Sequence, residues 1–250
     1  MEKLSVVIIA FNEEKNIRAA LESAKWADEI IVVDSFSTDG TAAICREYTD
    51  KVYQEKWRGF AAQKQFAVGL AGNDWVFVLD SDERFTPGLV TEIRGLLEHV
   101  PDMDGYHCAR LNHFMGKEIR YGGWYPDYSV RLFDRRKGVF GVREVHESVV
   151  MKGPVGHLKN HMLHYTYTGI KDYLERLDRY SGLMAREMKN SGRRASVSDL
   201  TVRPVFTFFK MFIFKQGIRD GMYGLVIAML YAFYTFTKYA KLWELEKNLN

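Results

Sequence analysis

The chain has 250 residues, 47% of them apolar and 14% aromatic, enough to build one large α/β domain or one domain with an appended module, and too apolar for disorder. Its net charge of +3 conceals an asymmetry: residues 1–150 carry 19 basic and 24 acidic side chains, whereas residues 151–250 carry 16 and 8. A basic, apolar C-terminal part points to an anionic membrane surface, and without interleaved basic and aromatic motifs nucleic acid is not an expected partner.

Cys45 and Cys108 lack metal-site spacing and read as buried thiols of a reducing compartment. Met1-Glu2-Lys3 leads straight into a strand-like run with no signal peptide, so a cytoplasmic location is expected.

In chain order, Leu4–Phe11 is an apolar run that predicts a buried strand, ending at Asn12-Glu13-Glu14. Lys15–Ala24 has helical spacing, and Glu29–Asp34 is a second buried strand that again ends in a carboxylate. Ser35–Gly40 is a turn-rich loop, Thr41–Tyr48 a helix, Lys51–Gln54 a short strand and Phe60–Leu70 a helix. Trp75–Leu79 predicts the next strand and Pro87–His99 the next helix. This alternation is the signature of a parallel sheet covered by helices.

From Gly105 the rhythm changes. Gly105–Met115 and Val130–Phe133 predict strands, residues 138–150 and 155–166 further short ones, and Ile170–Lys189 a long amphipathic helix. Gly192–Ser198 reads as a basic linker, and Pro204–Phe214 and Gly221–Thr237 as apolar stretches. The 17 uncharged residues of Gly221–Thr237 sit at the short limit for a bilayer span, and their tyrosines, phenylalanines and flanking lysines suit a helix lying at the membrane interface. The expected organisation is an α/β domain over 1–190 and a basic, apolar, membrane-associating helical extension over 191–250.

Residues 76–83, Val-Phe-Val-Leu-Asp-Ser-Asp-Glu, carry the most chemistry. Unpaired charge is costly inside a buried strand, so Asp80, Ser81 and Asp82 belong just beyond its carboxyl end, where open α/β sheets bind ligands. Two carboxylates at i and i+2 there can share a hard cation, Mg²⁺ or Mn²⁺, which in turn holds phosphates. Asp-x-Asp alone is as readily a solvated loop or a helix cap. What favours the site is its company: Asn12-Glu13 and Asp34 end the two preceding strands on the same edge, and Asp34 can accept hydrogen bonds from a nucleotide base or ribose.

The set SVVIIAFNEE, VVDSFSTDGT and VFVLDSDE, in this order and spacing, resembles the family 2 glycosyltransferases of the GT-A fold. GGWYPDYSVRLF (122–133) and REVHES (143–148) extend the resemblance toward the branch that builds lipopolysaccharide core with β-glucosyltransferases. The resemblance implies a mainly parallel, Rossmann-like α/β sheet flanked by helices, with a C-terminal helical extension. It implies that Ala10, Asn12 and Glu13 line the nucleotide, with Asp34 near the base, Asp39 close by, and Lys64 on the nucleotide or diphosphate. Asp80 and Asp82 would hold the metal, Asp82 more directly, with Ser81 between them; His164, or alternatively His146, would be a further ligand. Gly122, Gly123 and Trp124 would shape the sugar and acceptor loop, and Arg131 would hold the base loop or an acidic acceptor group.

An inverting enzyme needs one carboxylate to deprotonate the acceptor hydroxyl. Many family members present it as x-Glu-Asp; this chain offers Val145-His146-Glu147 instead. Glu147 is the expected base, with Asp127 and Glu144 as alternatives. The implied reaction moves glucose from a nucleotide-sugar donor, UDP-glucose, to a lipid-linked glycan, lipopolysaccharide core, peripherally at the cytoplasmic face of the inner membrane. A polyprenyl phosphate, capsule precursor or peptide as acceptor keeps the same chemistry. A nucleotidyltransferase is disfavoured because residues 4–14 lack a glycine-rich basic signature, and a non-catalytic relative because Asp80, Asp82 and Glu147 are intact.

Overall fold

The computed structural model describes residues 1–141 and 148–247. They form two compact units, Met1–Arg110 with Asp127–His164, and Leu111–Pro126 with Tyr165–Asn250.

The first unit opens with β1 (Leu4–Ala10), α1 (Glu14–Ala24), β2 (Glu29–Asp34), α2 (Thr41–Arg46), β3 (Val52–Gln54), α3 (Phe60–Gly69) and β4 (Trp75–Asp80). β5 (Glu83–Arg84) and α4 (Pro87–Leu97) follow, then β6 (Gly105–Phe114), whose last residues belong to the second unit together with β7 (Lys117–Glu118). β8 (Asp127–Asp134), β9 (Gly138–Phe140), β10 (Val149–Met151) and β11 (Val155–Tyr167) complete the strands. The sheet order is β3-β2-β1-β4-β8-β6-β11-β5, and β9 and β10 make a separate antiparallel pair. β3, β2, β1 and β4 are mutually parallel, whereas β8 joins β4 antiparallel.

The unbroken apolar runs have a simple cause: alternate side chains of each strand enter opposite cores. Val6, Ile8, Phe77 and Leu79 pack with Ile17 and Leu21 of α1 and Leu89 and Ile93 of α4. Val7, Ile9, Val76 and Val78 pack with Ala67 and Val68 of α3 and with Phe133. Ile8 is fully buried, so Ile8→Ala costs about 2–5 kcal/mol. Register does the functional work: Ala10 pairs with Asp34 and Ile9 with Asp80, which levels the carboxyl ends of β1, β2 and β4 along one edge.

Two local differences from the sequence expectation matter. Residues 155–167 form one 13-residue strand, and β5 is a strand that no pattern announces because it is only two residues long. β5 forms because Glu83 and Arg84 pair antiparallel with His164 and Leu163. The cap of α4 is Thr86, whose side chain accepts from the Leu89 N–H at 3.2 Å, so Asp82 is not a helix cap.

The second unit contains α5 (Ile170–Asn190), α6 (Val197–Leu200), α7 (Val202–Phe209), a π-helical turn over Lys210–Phe214, a 3₁₀ turn over Gly217–Asp220, and α8 (Met222–Lys247). α5, read from sequence with the first domain, shares its core with α8: Tyr173 and Leu177 pack with Ile227 and Ala228, and Ala185 with Tyr239 and Leu242. Among the described residues no helix is long and apolar enough to cross a membrane. α8 covers the expected interfacial stretch and buries one of its faces on the protein itself.

Candidate active site

The strand ends of β1 and β2 are stitched together by the polar residues that interrupt the apolar pattern. Asn12, in left-handed backbone at φ 54°, donates its N–H to Ser37 Oγ at 2.9 Å and accepts the Thr38 N–H at 2.8 Å. Asp34 is fully buried and accepts the Ser37 N–H at 3.1 Å and Gln54 Nε2 at 3.4 Å. Ala10 accepts the Ser35 N–H through its carbonyl at 2.8 Å. The Glu13 carboxylate accepts Asn16 Nδ2 at 2.9 Å, and the Glu13 N–H donates to Thr41 Oγ1 at 2.8 Å. Asp39 accepts the Thr41 N–H at 3.0 Å and the Glu14 N–H at 3.2 Å. Burial opposes its charge, but the Thr41 and Glu14 hydrogen bonds prevail and hold Asp39 below the usual carboxylate value.

At the end of β4 the structure builds a balanced charge cluster. Asp80 Oδ1 lies 2.8 Å from Lys64 Nζ and Oδ2 lies 3.0 Å from Arg131 Nη2. The same Arg131 nitrogen stands 2.5 Å from Glu83, which is fully buried, and Glu83 Oε2 accepts the Asp80 N–H at 2.9 Å. Arg110 closes the chain, 3.8 Å from Glu83 and 2.6 Å from Asp127. Three cations thus face three carboxylates, which is how buried charge becomes tolerable. Desolvation disfavours ionised Asp80, yet Lys64 and Arg131 overcome it and hold the carboxyl well below its ordinary range. Burial raises Glu83 against the opposing pull of Arg131.

Asp82 stands two residues beyond Asp80. Its Oδ2 is 3.4 Å from His164 Nε2, and the pair exists because β5 and β11 run side by side. Both side chains are mostly covered, and Ser81 is held at its carbonyl by Arg84 Nη1 at 2.8 Å. A carboxylate oxygen beside an imidazole nitrogen is a donor set better suited to Mn²⁺ than to Mg²⁺, which takes oxygen donors. Among the described residues no group of three or more His, Cys, Asp or Glu is disposed to hold a metal.

In the second unit Gly122 and Gly123 adopt φ of 68° and 84°, a conformation glycine takes without strain, and the Gly122 N–H donates to the Lys215 carbonyl at 2.9 Å. Trp124 is buried among Phe114, Tyr167 and Tyr231 and serves that unit's core.

The structure therefore separates the expected site residues into roles. Asp80 faces two cations while Asp82 faces His164. Lys64, expected on the nucleotide or diphosphate, is buried with its ammonium on Asp80, because α3 packs on the sheet face formed by β1 and β4. Arg131, expected on the base loop or an acidic acceptor group, is buried against Asp80 and Glu83, because β8 pairs with β4. Glu144, His146 and Glu147 lie outside the described residues. Sequence reasoning missed Glu83 and Arg110. Glu83 directly follows the Asp-x-Asp turn, and Arg110 is the one formally charged residue of the strand GYHCARLNHF.

A parallel half-sheet with polar strand ends, extended by antiparallel strands that carry a histidine to an Asp-x-Asp turn, defines a nucleotide-sugar glycosyltransferase of the GT-A fold. The family model "Glycosyl transferase family 2" matches residues 5–158, and the chain belongs to that family. It is 33% identical to the lipopolysaccharide core biosynthesis glycosyltransferase LpsC of Rhizobium meliloti (strain 1021), over 96% of this chain and 92% of that protein. An uncharacterized glycosyltransferase of Rickettsia felis (strain ATCC VR-1525 / URRWXCal2) is 32% identical over 98% of this chain and 90% of its own length. Among solved structures, the mannosyltransferase PcManGT from Pyrobaculum calidifontis in complex with GDP-Man and Mn²⁺ matches with a TM-score of 0.54 at 15% identity, over 98% of this chain and 75% of that one. S. aureus TarS 1–349 in complex with UDP-GlcNAc matches with a TM-score of 0.50 at 15% identity, over 99% and 92%. At such identities these likenesses show the fold.

Proposed function

We propose that the protein transfers glucose from UDP-glucose to a lipid-linked glycan, the lipopolysaccharide core, with inversion at the anomeric carbon and with a divalent metal. The observation that carries this reading is the 3.4 Å approach of His164 Nε2 to Asp82 Oδ2 beside an Asp80 already balanced by Lys64 and Arg131. The likeness to the lipopolysaccharide core biosynthesis glycosyltransferase of Rhizobium supports the acceptor, the family resemblance supports the donor, and the Mn²⁺ in the complex of the Pyrobaculum transferase supports the metal.

In this reading Asp82 and His164 would hold the metal. Bound there, Mg²⁺ or Mn²⁺ would supply neutralisation of the charge that develops on the departing nucleoside diphosphate. Lys64 and Arg131 keep Asp80 ionised, and Glu83 fixes the turn by accepting the Asp80 N–H, so Asp82 is presented without rearrangement. The edge formed by Ala10, Asn12, Glu13, Asp34 and Asp39 takes the nucleotide. Glu147 accepts the proton of the acceptor hydroxyl while that oxygen bonds to the anomeric carbon and the sugar–diphosphate bond breaks, its electron pair leaving with the diphosphate. Asp127 and Glu144 are the alternative bases; Asp127 is held by Arg110 at 2.6 Å. The Gly122–Gly123 loop contacts sugar and acceptor, and the protein works peripherally at the cytoplasmic face of the inner membrane.

Release of UDP from UDP-glucose, with and without Mn²⁺, tests the chemistry. Mn²⁺-dependent release that Asp82→Asn abolishes is expected. Turnover indifferent to Mn²⁺, or unchanged in Asp82→Asn, contradicts the reading.

A further inference from the structure

α7 is apolar around most of its circumference, but only one side of it is covered. Phe208, Met211 and Phe212 turn inward and pack in the core of the second unit. Val202, Val205, Phe206 and Phe209, at i, i+3, i+4 and i+7, form a stripe on the other side that continues into Ile213 and Phe214 of the π-helical turn. Phe206, Phe209 and Phe214 are 57%, 49% and 72% exposed, far more than isolated surface apolar residues require. A helix apolar on both faces is ordinarily buried or set against lipid.

Charge identifies the occupant. Between Asp199 and Asp220 the chain has no acidic residue, while Arg203, Lys210, Lys215 and Arg219 carry positive charge, and Lys210, Lys215 and Arg219 are exposed. An aromatic stripe rimmed by cations complements an anionic bilayer interface, with rings among the acyl chains and ammonium and guanidinium groups at the headgroups. A second apolar protein face gives no reason for the cations.

The same segment grips the loop expected to shape the sugar and acceptor site. The Gly122 N–H donates to the Lys215 carbonyl at 2.9 Å, the Tyr121 N–H to Asp220 Oδ2 at 2.9 Å, and Arg219 lies over the Tyr121 ring at 4.4 Å. We propose that the outward stripe of α7 and the following turn is a docking surface for an anionic lipid bilayer, seating the Tyr121–Trp124 loop at the level where a lipid-linked acceptor emerges. The role of the loop rests on the transferase reading; the docking surface does not. It adds Val202–Phe214 to the contact expected of Gly221–Thr237, where α8 is partly packed away but leaves Met222, Met229, Phe233 and Phe236 exposed.

The test is co-sedimentation of the full chain, without sugar donor, on phosphatidylcholine vesicles and on vesicles with equal parts of phosphatidylglycerol. Wild type is expected to pellet with the anionic vesicles and to be released as salt is raised. Phe206→Ser with Phe209→Ser is expected to weaken binding about tenfold or more, since two half-exposed rings are lost from the lipid. Lys210→Glu, which leaves the rings intact, is expected to weaken binding to anionic vesicles alone. Thermal unfolding of each variant checks that it is folded. Wild type that pellets with neither vesicle overturns the proposal, as do folded variants that bind like wild type. A wild-type dimer that Phe206→Ser dissociates, with no vesicle binding, assigns the face to a second copy and likewise overturns it. Because no donor is present, loss of docking and loss of transferase activity are read separately.

Discussion

Arg131 stands 2.5 Å from the fully buried carboxylate of Glu83, and this pair ties β8 to the turn that carries Asp80 and Asp82. Glu83 also accepts the Asp80 N–H, so one side chain fixes both the backbone and the electrostatics of the turn. Removing it leaves a buried guanidinium short of one partner. Glu83→Ala is therefore expected to lower stability by about 3–5 kcal/mol, read by urea unfolding. Replacing both members by apolar residues of similar size should cost less than the single change. A loss below about 1 kcal/mol for Glu83→Ala would show that the pair is not structural.

Asp80 gives stability a defined pH dependence. Its folded-state pKa lies below the ordinary 3.8, so the unfolded chain binds this proton more tightly. Its contribution is fully present above 3.8 and is lost as the pH falls below that value. Unfolding free energies of wild type and Asp80→Asn should differ most near neutral pH and converge in acid. A difference that stays constant through the acid range would mean that Lys64 and Arg131 do not stabilise the ionised form.

Asp82 and His164 should act as a unit on the metal. Asp82→Asn and His164→Ala are each expected to lower kcat about a hundredfold or more, the equivalent of several kcal/mol of charge stabilisation. Mn²⁺ binding in the presence of UDP, followed by electron paramagnetic resonance, should weaken in the same two variants. Normal Mn²⁺ binding in His164→Ala would remove the imidazole from the site.

Both thiols should be silent in the native protein. Burial pushes Cys45 and Cys108 up to about 12, and neither side chain is accessible to solvent. Alkylation near neutral pH should label neither until the chain unfolds. Rapid labelling of the folded protein would show that the one core holding both thiols opens locally.

The parallel half of the sheet was legible because each buried strand is a run of β-branched and aromatic residues closed by a polar residue. Val32–Asp34 and Val76–Asp80 announce both their core and their functional edge in this way. β5 was not legible: two residues have no periodicity, and its formation depends on a partner about eighty positions away at Leu163 and His164. For the same reason Asp80 and Asp82 look alike in sequence but diverge in the fold. Lys64, Arg131 and Glu83 gather around Asp80 only through the packing of α3 and the pairing of β8, whereas β11 delivers His164 to Asp82. The apolar C-terminal stretches were visible, but their exposed side was not. Which face of α7 is covered depends on where α8 packs.

Sugar transfer to lipopolysaccharide core is tested most directly by mass spectrometry of lipopolysaccharide from a strain lacking the protein. The core is expected to lose one hexose, which the wild-type chain restores and Asp82→Asn does not. A core of unchanged mass in the deletion strain would contradict the proposed acceptor.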